Sequence, residues 1–143
     1  MIGKTISHYV VLRRLGQGGM GEVFLAEDTL LERKVALKFL ATQPGHDEAG
    51  GRRFLEEAKA AAAIDHPYVC KIYEAGEAEG RAFIGMEFVE GETLQARLER
   101  TRVPLPVALQ ITLEISEALV RAHASGVVHR DLKPANKIGR AHV

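Results

Sequence analysis

Between Tyr9 and Leu40 the apolar residues fall in three short runs rich in β-branched and aromatic side chains, Tyr9–Leu15, Glu22–Glu27 and Val35–Leu40. Such runs read as strands. Between them lie the glycine-rich Gly16–Gly21 and the polar Asp28–Lys34, so the pattern predicts an antiparallel meander. Residues 41–51 are polar and hold Pro44, Gly45, Gly50 and Gly51, which predicts a loop. Arg52–Ile64, with Phe54, Leu55, Ala58, Ala61 and Ala62, predicts a helix ended by Asp65-His66-Pro67. Val69–Tyr73 and Arg81–Val89 read as two more strands around a turn at Glu74–Gly80.

Past Gly91 the period lengthens. Thr93–Arg100 reads as a short helix and Pro104–Ser125 as a long one. In the long one Val107, Ile111, Ile115, Leu119 and Ala122 recur every three or four residues, Leu105, Ala108 and Ala118 widen the stripe, and Gly126 ends it. Five strands with one helix, then helices alone, give an α+β arrangement of two lobes joined near Glu87–Gly91.

The 143 residues are 46% apolar and 27% charged, as in a soluble globular domain. Nineteen basic residues balance nineteen acidic ones, which argues against nucleic acid or anionic lipid as a partner. One cysteine, Cys70, excludes an internal disulfide framework and multi-cysteine zinc sites. No apolar stretch is long enough to span a membrane, and the N-terminus lacks the pattern of a signal peptide.

Gly16-Gln17-Gly18-Gly19-Met20-Gly21 matches GxGxxG. A dinucleotide site would need a helix next, whereas Glu22-Val23-Phe24-Leu25 continues as strand, and a Walker loop would need Gly-Lys-Ser/Thr. Two readings remain, an ordinary flexible hairpin and one whose backbone amides close over phosphates. Alternation puts Ala36, Lys38 and Leu40 on one sheet face, and an ammonium among apolar neighbours calls for an anion. Glu57 is the candidate partner and a phosphate the second; otherwise Lys38 sits at a solvated edge. Cys70 reads as a small strand hydrophobe and His66 as a turn residue. His8, His46, His123 and His142 form no metal-ligand spacing, and His129 reads as a packed, hydrogen-bonded core histidine.

His129-Arg130-Asp131-Leu132-Lys133-Pro134-Ala135-Asn136 matches HRDLKPxN. With the glycine loop upstream, the chain from Tyr9 to Asn136 resembles a eukaryotic-type Ser/Thr protein kinase of the bacterial branch. That resemblance implies a kinase-like fold: an N-lobe sheet of five antiparallel strands with one helix and the hinge over 1–91, and part of a helical C-lobe with the catalytic loop over 92–136. It implies ATP and Mg2+ as cofactors, protein Ser/Thr hydroxyls as acceptors and a cytoplasmic setting. Gly16, Gln17, Gly18, Gly19, Gly21 and Val23 would cover the nucleotide, and Ala36 would line the adenine slot. Lys38 would hold the α- and β-phosphates and pair with Glu57. Met86 resembles the gatekeeper, and Glu87 to Val89 the hinge. Asp131 would accept the hydroxyl proton, Lys133 would neutralise the γ-phosphate, and Asn136 would ligate magnesium.

The family pattern continues with an apolar strand, Asp-Phe-Gly and an activation loop, where this sequence reads Lys137-Ile138-Gly139-Arg140-Ala141-His142-Val143. Residues 137–143 resemble an in-frame sequencing adapter, so family sequence is expected to end at about Asn136. The expectations are a parent Ser/Thr kinase, an inactive and poorly soluble fragment, and, as the alternative, a non-catalytic nucleotide-binding or scaffold module.

Overall fold

The structure is a computed structural model that describes residues 1–18, 21–41 and 48–140. Its elements run β1 Thr5–Ile6, β2 Tyr9–Gly18, β3 Gly21–Asp28, β4 Arg33–Leu40, α1 Glu48–Ala62, β5 Ile72–Ala78, β6 Arg81–Glu87, β7 Gly91–Thr93, α2 Leu94–Arg100, α3 Leu105–Ala124, a 3-10 turn at Pro134–Asn136 and β8 Ile138–Arg140. They divide into two compact units, Met1–Ala63 with Lys71–Phe88, and Ile64–Cys70 with the chain from Val89 onward.

The first unit is built on a six-stranded sheet of order β1-β2-β3-β4-β6-β5, antiparallel at every pair. The sequence predicts five strands; the sixth is β1, two residues pairing Thr5 with Val10 and Ile6 with Tyr9, too short to leave a periodic signal. Alternation makes the sheet two-faced. Phe24, Ala26, Val35, Leu37, Phe39 and Phe83 are buried together with Tyr9 and Val11 in one core. The Phe24 and Phe39 rings meet edge to face at 6.0 Å, as do Tyr9 and Phe83 at 6.4 Å.

Strand β2 reaches this pairing through two register shifts, which leave Leu12 and Leu15 without partners opposite β3. These are β-bulges, each taking up one residue and strengthening the twist. Strand β5 begins at Ile72 rather than Val69 and runs through the expected turn, which shrinks to Glu79 and Gly80, both at positive φ (53° and 72°). Helix α1 starts at Glu48, inside the expected loop, and packs on β5 and β6.

In the second unit residues 64–70 are not strand. His66 organises a turn, its Nδ1 accepting from the Tyr68 amide at 3.1 Å and its carbonyl from the Val69 amide at 3.1 Å. Cys70 is exposed in irregular backbone, correcting its assignment as a strand hydrophobe. Thr93 caps α2, its hydroxyl accepting from the Ala96 amide at 3.1 Å. Helix α3 follows Pro104 and ends where Gly126 takes φ of 77°. Val107, Ile111, Ile115 and Leu119 are half-buried as their spacing predicts, but Leu105, assigned to the same stripe, is exposed. So are Leu109, Leu113 and Val120. Strand β8 pairs antiparallel with β7, Thr93 opposite Ile138.

Candidate functional site

The first unit carries one half of the expected constellation. Gly16 lies opposite Val23, Val23 opposite Lys38 and Lys38 opposite Ile84. One step along the sheet, Leu25 pairs with Ala36 and Ala36 with Met86. Cross-strand partners share a face, so Val23, Leu25, Ala36, Lys38, Ile84 and Met86 form one surface, turned away from the Phe24–Leu37–Phe39 core. Leu25 and Ile84 were not singled out from the sequence; alternation from Val23 and Met86 places them there. Lys38 is half-buried, while Gly16, Gln17 and Gly18 are exposed. Gly19 lies outside the described residues.

Gly21 closes the hairpin at φ of 140°, and a β-carbon there would collide with the Phe39 carbonyl oxygen. The glycine is a requirement of this close backbone approach. At the far end of the surface, Glu87 accepts the Lys71 amide on its side chain at 3.3 Å and donates its own amide to the Lys71 carbonyl at 2.8 Å.

The expected Lys38–Glu57 pair is not formed: among the described residues no salt bridge joins them, and Glu57 is exposed. Helix α1 buries Ala58, and the neighbouring position points about 100° away around the helix axis.

The second unit holds Val89, half-buried, and the catalytic-loop residues. Arg130 adopts φ of 66°, a left-handed conformation that bends the chain just before Asp131. The Asp131 amide donates to His129 Nδ1 at 3.2 Å, and its carboxylate meets Lys133 Nζ at 3.2 Å. Asn136 Nδ2 donates to the Asp131 carbonyl at 2.8 Å, and the Asn136 amide donates to the Lys133 carbonyl at 2.9 Å. His129 is thus hydrogen-bonded as expected but exposed, not packed in the core. Asp131 and Lys133 are also exposed.

Asn136 spends its amide nitrogen on the backbone, which fixes the side chain's orientation and leaves its Oδ1 as a hard oxygen donor of the kind magnesium takes. Among the described residues no three His, Cys, Asp or Glu side chains group as a metal site.

The glycine hairpin, the lysine strand and this loop follow one another in the order of a known family, whose model, described as the protein kinase domain, matches residues 9–139. The chain belongs to the protein kinase family. This kinase-domain chain is 44% identical over 138 residues to the serine/threonine-protein kinase PrkC of Bacillus subtilis, covering 95% of the chain and 21% of PrkC. It is 46% identical over 127 residues to the serine/threonine-protein kinase pkn2 of Myxococcus xanthus, covering 88% of the chain and 15% of that protein. Its fold matches the crystal structure of the Mycobacterium tuberculosis PknI kinase domain (C20A_R136N double mutant) with a TM-score of 0.89 and 31% identity, covering 99% of the chain and 59% of that structure. The chain therefore spans about a fifth of the length of curated relatives it matches. No helix among the described residues is long and apolar enough to cross a membrane.

Proposed function

We propose that the protein of which this kinase-domain chain is part transfers the γ-phosphate of ATP to serine and threonine hydroxyls of other proteins. The observation that carries this reading is the catalytic loop, in which Asp131, Lys133 and Asn136 are held together by the Lys133–Asp131 ion pair and the Asn136–Asp131 hydrogen bond.

In this reading the acceptor hydroxyl gives its proton to the Asp131 carboxylate as its oxygen attacks phosphorus. Lys133, a fixed positive charge beside Asp131, neutralises the transferring phosphoryl oxygens. Asn136 Oδ1 is the ligand this loop offers to Mg2+, which when bound neutralises phosphate charge. Gly16, Gln17, Gly18 and Gly21 present backbone amides to the phosphates, and Lys38 pairs with the α- and β-phosphates. Val23, Ala36 and Met86 give adenine an apolar surface, with backbone groups of Glu87 to Val89 reading its edge. Lys133 in this position supports Ser/Thr over Tyr acceptors.

Two arms test it. The protein in its longer form, incubated with labelled ATP and a Ser/Thr-containing protein, is expected to incorporate phosphate, and Asp131→Asn to abolish incorporation. The same incorporation by D131N would sink the assignment. The 143-residue polypeptide taken alone is expected to bind ATP but to give no measurable transfer.

A second reading, a non-catalytic nucleotide-binding or scaffold module, draws on the separation of Lys38 from Glu57. It would be upheld by a longer form that binds ATP and transfers nothing.

A further inference from the structure

The glycine hairpin is gripped from the sheet face opposite the proposed nucleotide surface. Glu22, the residue after Gly21, shares its face with Phe24 and lies opposite Gln17 and Phe39. Its carboxylate is forked. Oε1 meets Arg14 Nη2 at 3.0 Å, and Oε2 meets Arg81 Nη2 at 3.4 Å. Arg14 Nη1 also donates to Gln17 Oε1 at 3.1 Å, reaching into the hairpin itself. Arg81 Nη2 donates to the Leu40 carbonyl at 3.3 Å, and its guanidinium lies 5.1 Å from the centre of the Phe39 ring. One carboxylate thus ties β2, β3, the end of β4, and β6 together at the edge from which the glycines project.

The pair differs from an ordinary surface ion pair. The Glu22 and Arg81 side chains are only 20% and 19% exposed. Arg81 Nε is buried and has no hydrogen-bond partner among the described residues, so the guanidinium has already lost its water on that side. Partial desolvation strengthens the remaining electrostatic contacts and makes loss of the partner costly. Because Val23 and Lys38 occupy the other face, the clamp cannot touch a nucleotide. It acts through the backbone of Gln17, Gly18, Gly21 and Glu22.

We propose that Glu22, held between Arg14 and Arg81, is a positioning residue that fixes the glycine hairpin over the phosphates; its link to nucleotide rests on the function proposed above. Hairpin stiffness therefore depends on a charged contact with β6 rather than on the glycines themselves.

The test is amide hydrogen exchange on the 143-residue chain without nucleotide, paired with ADP titration. Glu22→Ala is expected to speed exchange at Gln17 and Gly18 roughly tenfold, the equivalent of one lost charge-assisted hydrogen bond, and to weaken ADP binding by a similar factor. Exchange at Leu37 and Ile84 should stay unchanged. Arg81→Met, which keeps an apolar stem over Phe39, should reproduce the effect if Glu22→Ala fails to fold, and Arg81→Lys should restore much of it. Unchanged hairpin exchange, or equal acceleration at Leu37 and Ile84, overturns the proposal. A wild-type chain that binds no ADP overturns the proposed function instead, and the exchange data still decide the clamp.

Discussion

Asn136 and Asp131 are joined side chain to backbone: Asn136 Nδ2 donates to the Asp131 carbonyl at 2.8 Å across the bend that separates them. The bond uses the amide end of Asn136 and spares its oxygen, so the residue that closes the loop still presents the oxygen proposed above as a ligand to Mg2+. Asn136→Ala removes both. It is expected to cost about 1 kcal/mol of local order, read as faster exchange of the Asn136 amide, and to weaken binding of Mg-ADP while leaving metal-free ADP binding nearly unchanged.

Asp28 is expected to shape the acid sensitivity of the first unit. Burial opposes its ionisation, but the Leu31 and Leu30 amides, donating at 3.1 and 3.0 Å, with His8 and Arg33 nearby, hold its carboxyl below the usual range. A carboxyl depressed by folding contributes stability that is present above its unfolded pKa, about 3.9, and is lost as pH falls through its lower folded value. Urea unfolding between pH 5 and pH 2 should therefore show a steeper loss for the wild type than for Asp28→Asn. Parallel profiles would refute the assignment.

Gly21→Ala places a methyl group against the Phe39 carbonyl at φ of 140°. The strain is expected to cost about 1–3 kcal/mol or more, lowering the melting temperature and weakening nucleotide binding together. Gly16→Ala, where a β-carbon meets nothing within 4 Å, should leave the melting temperature close to wild type.

Leu37 is fully buried, sharing the aromatic core with Phe24, Phe39 and Phe83. Leu37→Ala is expected to destabilise the first unit by about 2–5 kcal/mol in denaturant titration. Leu30→Ala, at a residue 72% exposed, should change it by less than about 0.5 kcal/mol.

The central strands are legible because β3, β4 and β6 carry short, nearly continuous apolar runs with β-branched and aromatic residues, bounded by glycine-rich or polar breaks. The catalytic loop was legible as an unbroken motif. Strand β5 was misplaced because its sequence, Ile-Tyr-Glu-Ala-Gly-Glu-Ala, has little strand propensity beyond its first two residues; pairing with β6 makes it a strand. Helix α1 was begun too late because Gly50 and Gly51 read as breakers, a local preference that packing on β5 and β6 overrides. The expected Lys38–Glu57 pair is absent among the described residues, since sequence spacing cannot fix how a helix is rotated against a sheet. The Arg14–Glu22–Arg81 clamp was invisible for a related reason. Arg81 is distant in sequence, and simple alternation would put Arg14 and Gln17 on opposite faces.

What brings Arg14 and Gln17 onto one face is the bulge at Leu15, and the bulge at Leu12 does the same for the residues before it. Each bulge absorbs its own extra residue, so the sidedness of β2 is set by the pairing on either side of it and not by how many bulges there are. Deleting Leu15 would leave Arg14 and Gly16 as neighbours still opposite Phe24 and Val23, and deleting Leu12 would leave Val11 and Arg13 opposite Ala26 and Leu25. Either deletion would keep every remaining side chain on its present face and give a straighter, shorter strand. Leu12 and Leu15 are thus the two places where β2 can lose a residue without exchanging its surfaces.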